Sequence, residues 1–246
     1  MVLFKSWDCI PPGGSVSVVS RKQDGRECAG TSLDPMIVRR MEKALVVVDE
    51  HGTRGTRLLD NADRFCKRVK KYIAMGIVSP ETDSLPLELS CYALQLPLKS
   101  AMAMPGGKLG RTNLRERAEA AAEMLVGLMA DAGHDALVER TVGIINEVYQ
   151  RRPESVLAML LADALNLEDF GVIGLVNQII GMARLGAGVV QVADGMQKRE
   201  QYGYWEARLK EGFHFEQIRA IAKKRLEHAR RVAGMLLGEL REDGAE

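Results

Sequence analysis

Cysteine is scarce and dispersed. Cys9, Cys28, Cys66 and Cys91 form no C-x-x-C pair, which excludes a zinc ribbon, a thioredoxin-type motif and a disulfide scaffold. Such spacing is that of free thiols in a reducing compartment. Aromatic residues are only 5% of the 246-residue chain, so the core has to be aliphatic. An excess of one charge is also missing: 34 Lys and Arg stand against 33 Asp and Glu. The whole chain therefore has no bulk attraction for nucleic acid or an anionic membrane. No apolar run approaches the ~18 residues of a membrane span. The opening MVLFKSWDCIPPGG lacks the apolar length and small-residue cleavage site of a signal peptide. These absences lead to the expectation of a cytoplasmic globular protein that does not bind membranes.

What is present is helical punctuation. With 46% hydrophobic and 27% charged residues, the chain can build one large domain with an appendage. Residues 1–34 read as an irregular or weakly β arm. Pro11-Pro12-Gly13-Gly14 breaks the chain, Ser15 to Ser20 is β-leaning, and Asp24-Gly25 is a turn signal. Asp34-Pro35 then marks a helix start. Its apolar residues Ile37, Met41, Ala44, Leu45 and Val48 recur at helical spacing up to a stop at Gly52. Further helices are expected from Arg57 to Met75, from Ser84 through Leu96, and from a Thr112 cap to Ala130. Others follow from an Asp135 cap through Val148, from Pro153 to Leu165, and from Glu168 to Leu185. The last runs from Glu216 to Leu240. The 168–185 segment is apolar nearly all round, which predicts a buried helix. The expected fold is an all-α body of about eight helices over residues 35–246.

Several catalytic motifs fail on inspection. His134-Asp135 follows Gly133 at a helix start, where Asp is an ordinary cap. The loop from Pro105 to Thr112 has the wrong Lys order for a phosphate loop, and no strand precedes it. Leu185-Gly186-Ala187-Gly188 is too short for a dinucleotide fingerprint and reads as a helix end. His51, His134, His214 and His228 show no zinc-ligand spacing, and there is no G-x-S-x-G elbow. No cofactor is implied. Two helices are basic, with seven Arg or Lys against two Asp between Arg54 and Lys71, and six against two Glu between Glu216 and Arg231. Stripes of this kind are usually solvated faces, and no interleaved aromatics favour a single-strand binder. The candidate phosphate or nucleic-acid contacts within them are Arg64, Arg68, Lys71, Lys223, Lys224 and Arg231.

One stretch is more specific. Leu161-Ala162-Asp163-Ala164-Leu165-Asn166-Leu167-Glu168-Asp169-Phe170-Gly171-Val172-Ile173-Gly174 resembles a segment of the stand-alone bacterial HD-domain phosphohydrolases. There the segment reads approximately Asp-Ala-Asp-Arg-Leu-Asp-Ala-hydrophobic-Gly-Ala-Ile-Gly. Asp163 and the Gly171 to Gly174 end are kept, while Leu165 and Asn166 replace the second Asp and the Arg. Tyr204-Trp205-Glu206-Ala207-Arg208-Leu209 and the helix with Ala222-Lys223-Lys224-Arg225 resemble the family's tail. Leu89 to Ala93 resembles the helix leading into its His-Asp dyad, and Arg68-Val69 resembles the pair after its first His. The resemblance covers about residues 57–242.

It implies an HD-domain-like helical bundle whose metal-ligand positions are Phe65, Leu94, Gln95 and Asp163. Only Asp163 retains a ligand of the family. Phe and Leu coordinate nothing and an amide is a poor substitute, so most of a transition-metal shell is missing. Without the metal no water is activated. The resulting expectation is a binding or regulatory protein with neither catalytic residues nor bound metal. Its partner would be another protein or a phosphorylated small molecule. An active metal-dependent phosphohydrolase is the alternative, and a nucleic-acid binder using the two basic helices is the second.

Overall fold

Asp34 and Pro35 start the first helix as their chemistry predicts. The Asp34 carboxylate accepts the Met36 N–H at 2.7 Å, and α1 (Pro35–Leu45) buries Ile37, Met41 and Leu45. The structure is a computed structural model describing residues 32–48, 54–103, 113–183 and 185–244. The expected hairpin within residues 1–31, the loop at 105–112, Cys9, Cys28 and His51 lie outside these. All described elements belong to one unit, residues 31–246.

α1 ends at Leu45 rather than running through Val48. Val46 is extended, and β1 (Val47–Val48) pairs antiparallel with β2 (Arg54–Gly55), Val47 opposite Gly55. Three consecutive β-branched residues favour extended backbone over another helical turn.

The remaining elements are α2 (Arg57–Ala74), α3 (Leu85–Ala93), α4 (Leu96–Ala103), α5 (Leu114–Met129), α6 (Asp135–Glu147) and α7 (Val156–Asn166). A 3-10 turn (Leu167–Asp169) leads into α8 (Gly171–Ala183), α9 (Val189–Gln201), α10 (Tyr204–Glu211) and α11 (Glu216–Glu242). The body is all-α, as expected, and among the described residues its only sheet is the β1–β2 pair. α4, α9 and α10 are additional to the helices read from sequence. α3 and α4 separate at Leu94-Gln95 because Pro97 has no N–H to offer the Ala93 carbonyl. Boundaries also shift. Asn113, not Thr112, caps α5, accepting the Arg115 N–H at 3.1 Å. His134 occupies the cap position of α6 and Asp135 is its first residue. α7 begins after Ser155 rather than at Pro153. The Glu147 carboxylate takes the Glu154 and Ser155 N–H groups there, at 2.8 and 2.7 Å.

The main core is aliphatic, with Met41, Leu87, Leu89, Leu94, Leu125, Met129, Ile145 and Leu160 below 2% exposure. Each fully buried side chain of this kind contributes roughly 1.5–3 kcal/mol. α3 packs on α2 and α6, α5 on α6, and α7 on α2. Phe170 closes this core beneath the C-terminal helices, edge-on to Trp205 and to Phe213, both at 5.3 Å. A second, smaller core of Leu175, Val192 and Met196 ties α8 to α9.

α8 corrects the expectation of full burial. Gly171, Gly174 and Leu175 are buried, but Val172, Ile173, Val176 and Ile180 are 37–46% exposed. An apolar helix is buried only on the sides where the fold supplies partners, and α8 is packed mainly against α11. Its two buried glycines have distinct reasons. Gly171 has φ +86°, which disfavours a side chain. At Gly174 a Cβ would stand 2.3 Å from the Asp169 carbonyl oxygen. Together they allow the tight corner that sets the position of Glu168.

Candidate anion-binding site

Arg64 and Arg68 are four residues apart on α2, hence on one face. Both reach Glu168 in the 3-10 turn that follows α7. Arg64 pairs with its carboxylate at 2.7 Å, and Arg68 makes a second, short ion pair with the same group. Arg68 also donates to the Ala164 carbonyl at 2.8 Å and stacks its guanidinium over Phe65, 5.2 Å from the ring centroid. Carbonyls in the last turn of a helix lack intrahelical donors and carry the negative end of its dipole. A buried guanidinium is a natural partner for them.

Two more arginines approach from other helices. Arg117 of α5 donates to the Leu94 carbonyl, the cap of α3, at 2.8 Å. Burial pushes its pKa down to about 10, and the charge of Glu168 opposes that fall. Arg225 of α11 lies half-buried, with its side-chain stem against Gly171. Its pKa is lowered by burial first and then by the charges of Arg68 and Arg64, with Tyr72 and Glu168 pulling the other way. The Tyr72 phenol, raised by burial, is pulled back by Arg68 and Arg225. Two guanidinium groups of α2 thus share the Glu168 carboxylate, and the Arg117 and Arg225 guanidinium groups feel its charge.

The other candidate contacts divide. Lys71 continues the Arg64 and Arg68 stripe on α2 and is exposed, as are Lys223 and Lys224 beside Arg225. Arg231 is exposed too, but six residues from Arg225 it points to another side of α11. Glu168, Arg117 and Arg225 escaped sequence reasoning. Arg117 sits in an Ala- and Glu-rich helix where it looks like surface, and only the tertiary packing joins it to the end of α3.

Phe65, Leu94, Gln95 and Asp163 are all buried, at 5%, 1%, 1% and 0% exposure. Phe65 and Leu94 belong to the same hydrophobic core. Asp163 has a different occupation. Its carboxylate accepts the backbone N–H of His214 at 2.8 Å and of Phe215 at 2.9 Å. It also meets the His214 ring Nδ1 at 2.8 Å. These are unsatisfied donors at the start of α11, so Asp163 caps that helix from across the chain. Burial raises its pKa, and the His214 and Phe215 N–H groups oppose the rise. Among the described residues no group of three His, Cys, Asp or Glu side chains converges as a metal site, and no helix is long and apolar enough to cross a membrane. Cys66 and Cys91 are buried free thiols.

Comparison with protein-family models, curated proteins and solved structures finds no match for this chain.

Proposed function

We propose that this chain is an HD-like helical protein that has lost metal-dependent phosphohydrolase activity and serves as a binding or regulatory protein. Its ligand is a phosphorylated group, carried by a small molecule or by a partner protein. The observation that carries this reading is that Arg64 and Arg68 share the one Glu168 carboxylate, with the charge of half-buried Arg225 acting on the same group of residues. Removing charge from water is costly unless it is paired, and guanidinium forks match phosphate oxygens geometrically. Arg64, 32% exposed at its side chain, and the exposed Lys71, Lys223 and Lys224 give an anion a way in. The commitment of Asp163 to the α11 terminus and the apolar side chains at Phe65 and Leu94 support the loss of metal chemistry.

Thermal melting at constant ionic strength tests it. Pyrophosphate should raise Tm relative to chloride, since a ligand that binds only the folded state stabilises it. Arg225→Gln and Arg64→Gln should each abolish most of the rise. A rise equal in chloride, or unchanged in both variants, would contradict the proposal. Hydrolysis of phosphoesters with added manganese or nickel, lost in Asp163→Ala, would favour the enzyme instead. Steeply salt-dependent binding of mixed oligonucleotides would favour the nucleic-acid reading.

A further inference from the structure

We infer that the C-terminal helices form a second, separate binding site, a cavity for a small neutral apolar molecule. α8, α9, α10 and α11 line a half-open pocket of about 320 Å3. That falls at the lower end of the roughly 300–1,000 Å3 of small-molecule pockets. Its origin is local. On α11 the pocket is lined by Ala229, Ala233 and Gly234, whose small side chains leave unfilled the space that larger residues would occupy. A Cβ added at Gly234 meets no atom within 4 Å.

The walls set the ligand's chemistry. Leu175, Met196, Leu226 and the Trp205 ring form apolar surface. The charges around the mouth neutralise one another. Arg230 makes three hydrogen bonds to Glu200, at 2.7–3.0 Å, and pairs with Glu206 at 2.6 Å. Asp169 pairs with Arg208 at 2.9 Å. Arg199 bonds Gln178 and stacks on Tyr204 and Trp205. No net charge is left for an ionic ligand to answer. The Gln197 amide on the lining can orient one hydrogen-bonding group. The occupant is therefore compact, uncharged and largely apolar, with a flat ring system suited to Trp205.

Prodan, a neutral naphthalene ketone, is a suitable probe with the full chain. Titration should give saturable binding to one site, a blue-shifted emission, and emission sensitised by tryptophan. Gly234→Leu and Ala233→Leu each place a side chain in the cavity and should weaken binding at least roughly tenfold, because a filled space has no room for the ring. Trp205→Phe should leave affinity within about threefold, keeping an aromatic wall, while removing most of the sensitised emission. The inference is overturned if the native chain shows no saturable binding. It is equally overturned if both filling variants bind as before, or if Trp205→Phe keeps full sensitised emission. Should one filling variant fail to fold, the other and Trp205→Phe still decide.

Discussion

Asp163 and His214 stand 51 residues apart in sequence, and the His214 ring nitrogen meets the Asp163 carboxylate at 2.8 Å. Because the same carboxylate also holds the N–H groups of His214 and Phe215, α11 begins on a side chain of α7. Asp163→Ala leaves these buried donors unsatisfied and should cost at least about 2 kcal/mol, at roughly 1–3 kcal/mol for each group lost. Asp163→Asn retains one acceptor oxygen and should fall between. Urea unfolding at neutral pH measures both. A loss below about 0.5 kcal/mol for Asp163→Ala, the level of an ordinary surface change, would mean that α11 does not depend on it.

Glu168 is the single carboxylate shared by Arg64 and Arg68. Glu168→Gln should destabilise the chain by about 3 kcal/mol, because removing one partner of a buried pair strands the other charges. Added phosphate should restore more stability in this variant than in the native protein. Unfolding in phosphate and chloride buffers of equal ionic strength makes the comparison. A loss under about 1 kcal/mol, the level of a solvated pair, would show that water already screens the cluster.

Asp83 ties α3 to α6, with one oxygen accepting the Leu85 N–H at 3.0 Å and the other pairing with Arg140 at 2.7 Å. Desolvation works to raise its pKa, but these bonds outweigh it and hold the carboxyl below its ordinary value. A lowered folded pKa gives stability that is complete above the unfolded value and vanishes as pH falls through the folded one. Asp83→Asn should therefore be less stable than the native chain at pH 6, and the gap should close below about pH 4, near the unfolded Asp pKa. The pair is half-exposed, so the gap should not exceed about 1 kcal/mol. Melting curves from pH 3 to 7 would show it, and a gap independent of pH would refute the assignment.

Long amphipathic helices were legible in the sequence because their apolar spacing is local. α2 and α11 appear almost as read, and the Gly186 turn ends α8 as expected. Short helices were not. α9 and α10 lack strong caps and carry many charged residues, so their weak periodicity stands out only when they pack on α8 and α11. α8 misled in the opposite direction, since apolarity reports a demand for burial and not its fulfilment. At the site, Arg64 and Arg68 were visible as a stripe. Their charge partner Glu168, and Arg117 and Arg225 from distant helices, were not.

By itself the sequence determined an all-α body with an aliphatic core, because helical spacing, caps and breakers act within a few residues. It also placed Phe65 and Leu94 at positions that cannot coordinate a metal, since that follows from side-chain identity alone. Only the tertiary structure decided that Asp163 caps α11, that Arg64 and Arg68 share Glu168, and that small residues on α11 leave a pocket beside Trp205. Those relationships join residues tens of positions apart. Their energies depend on burial and on distance, which a linear pattern does not contain.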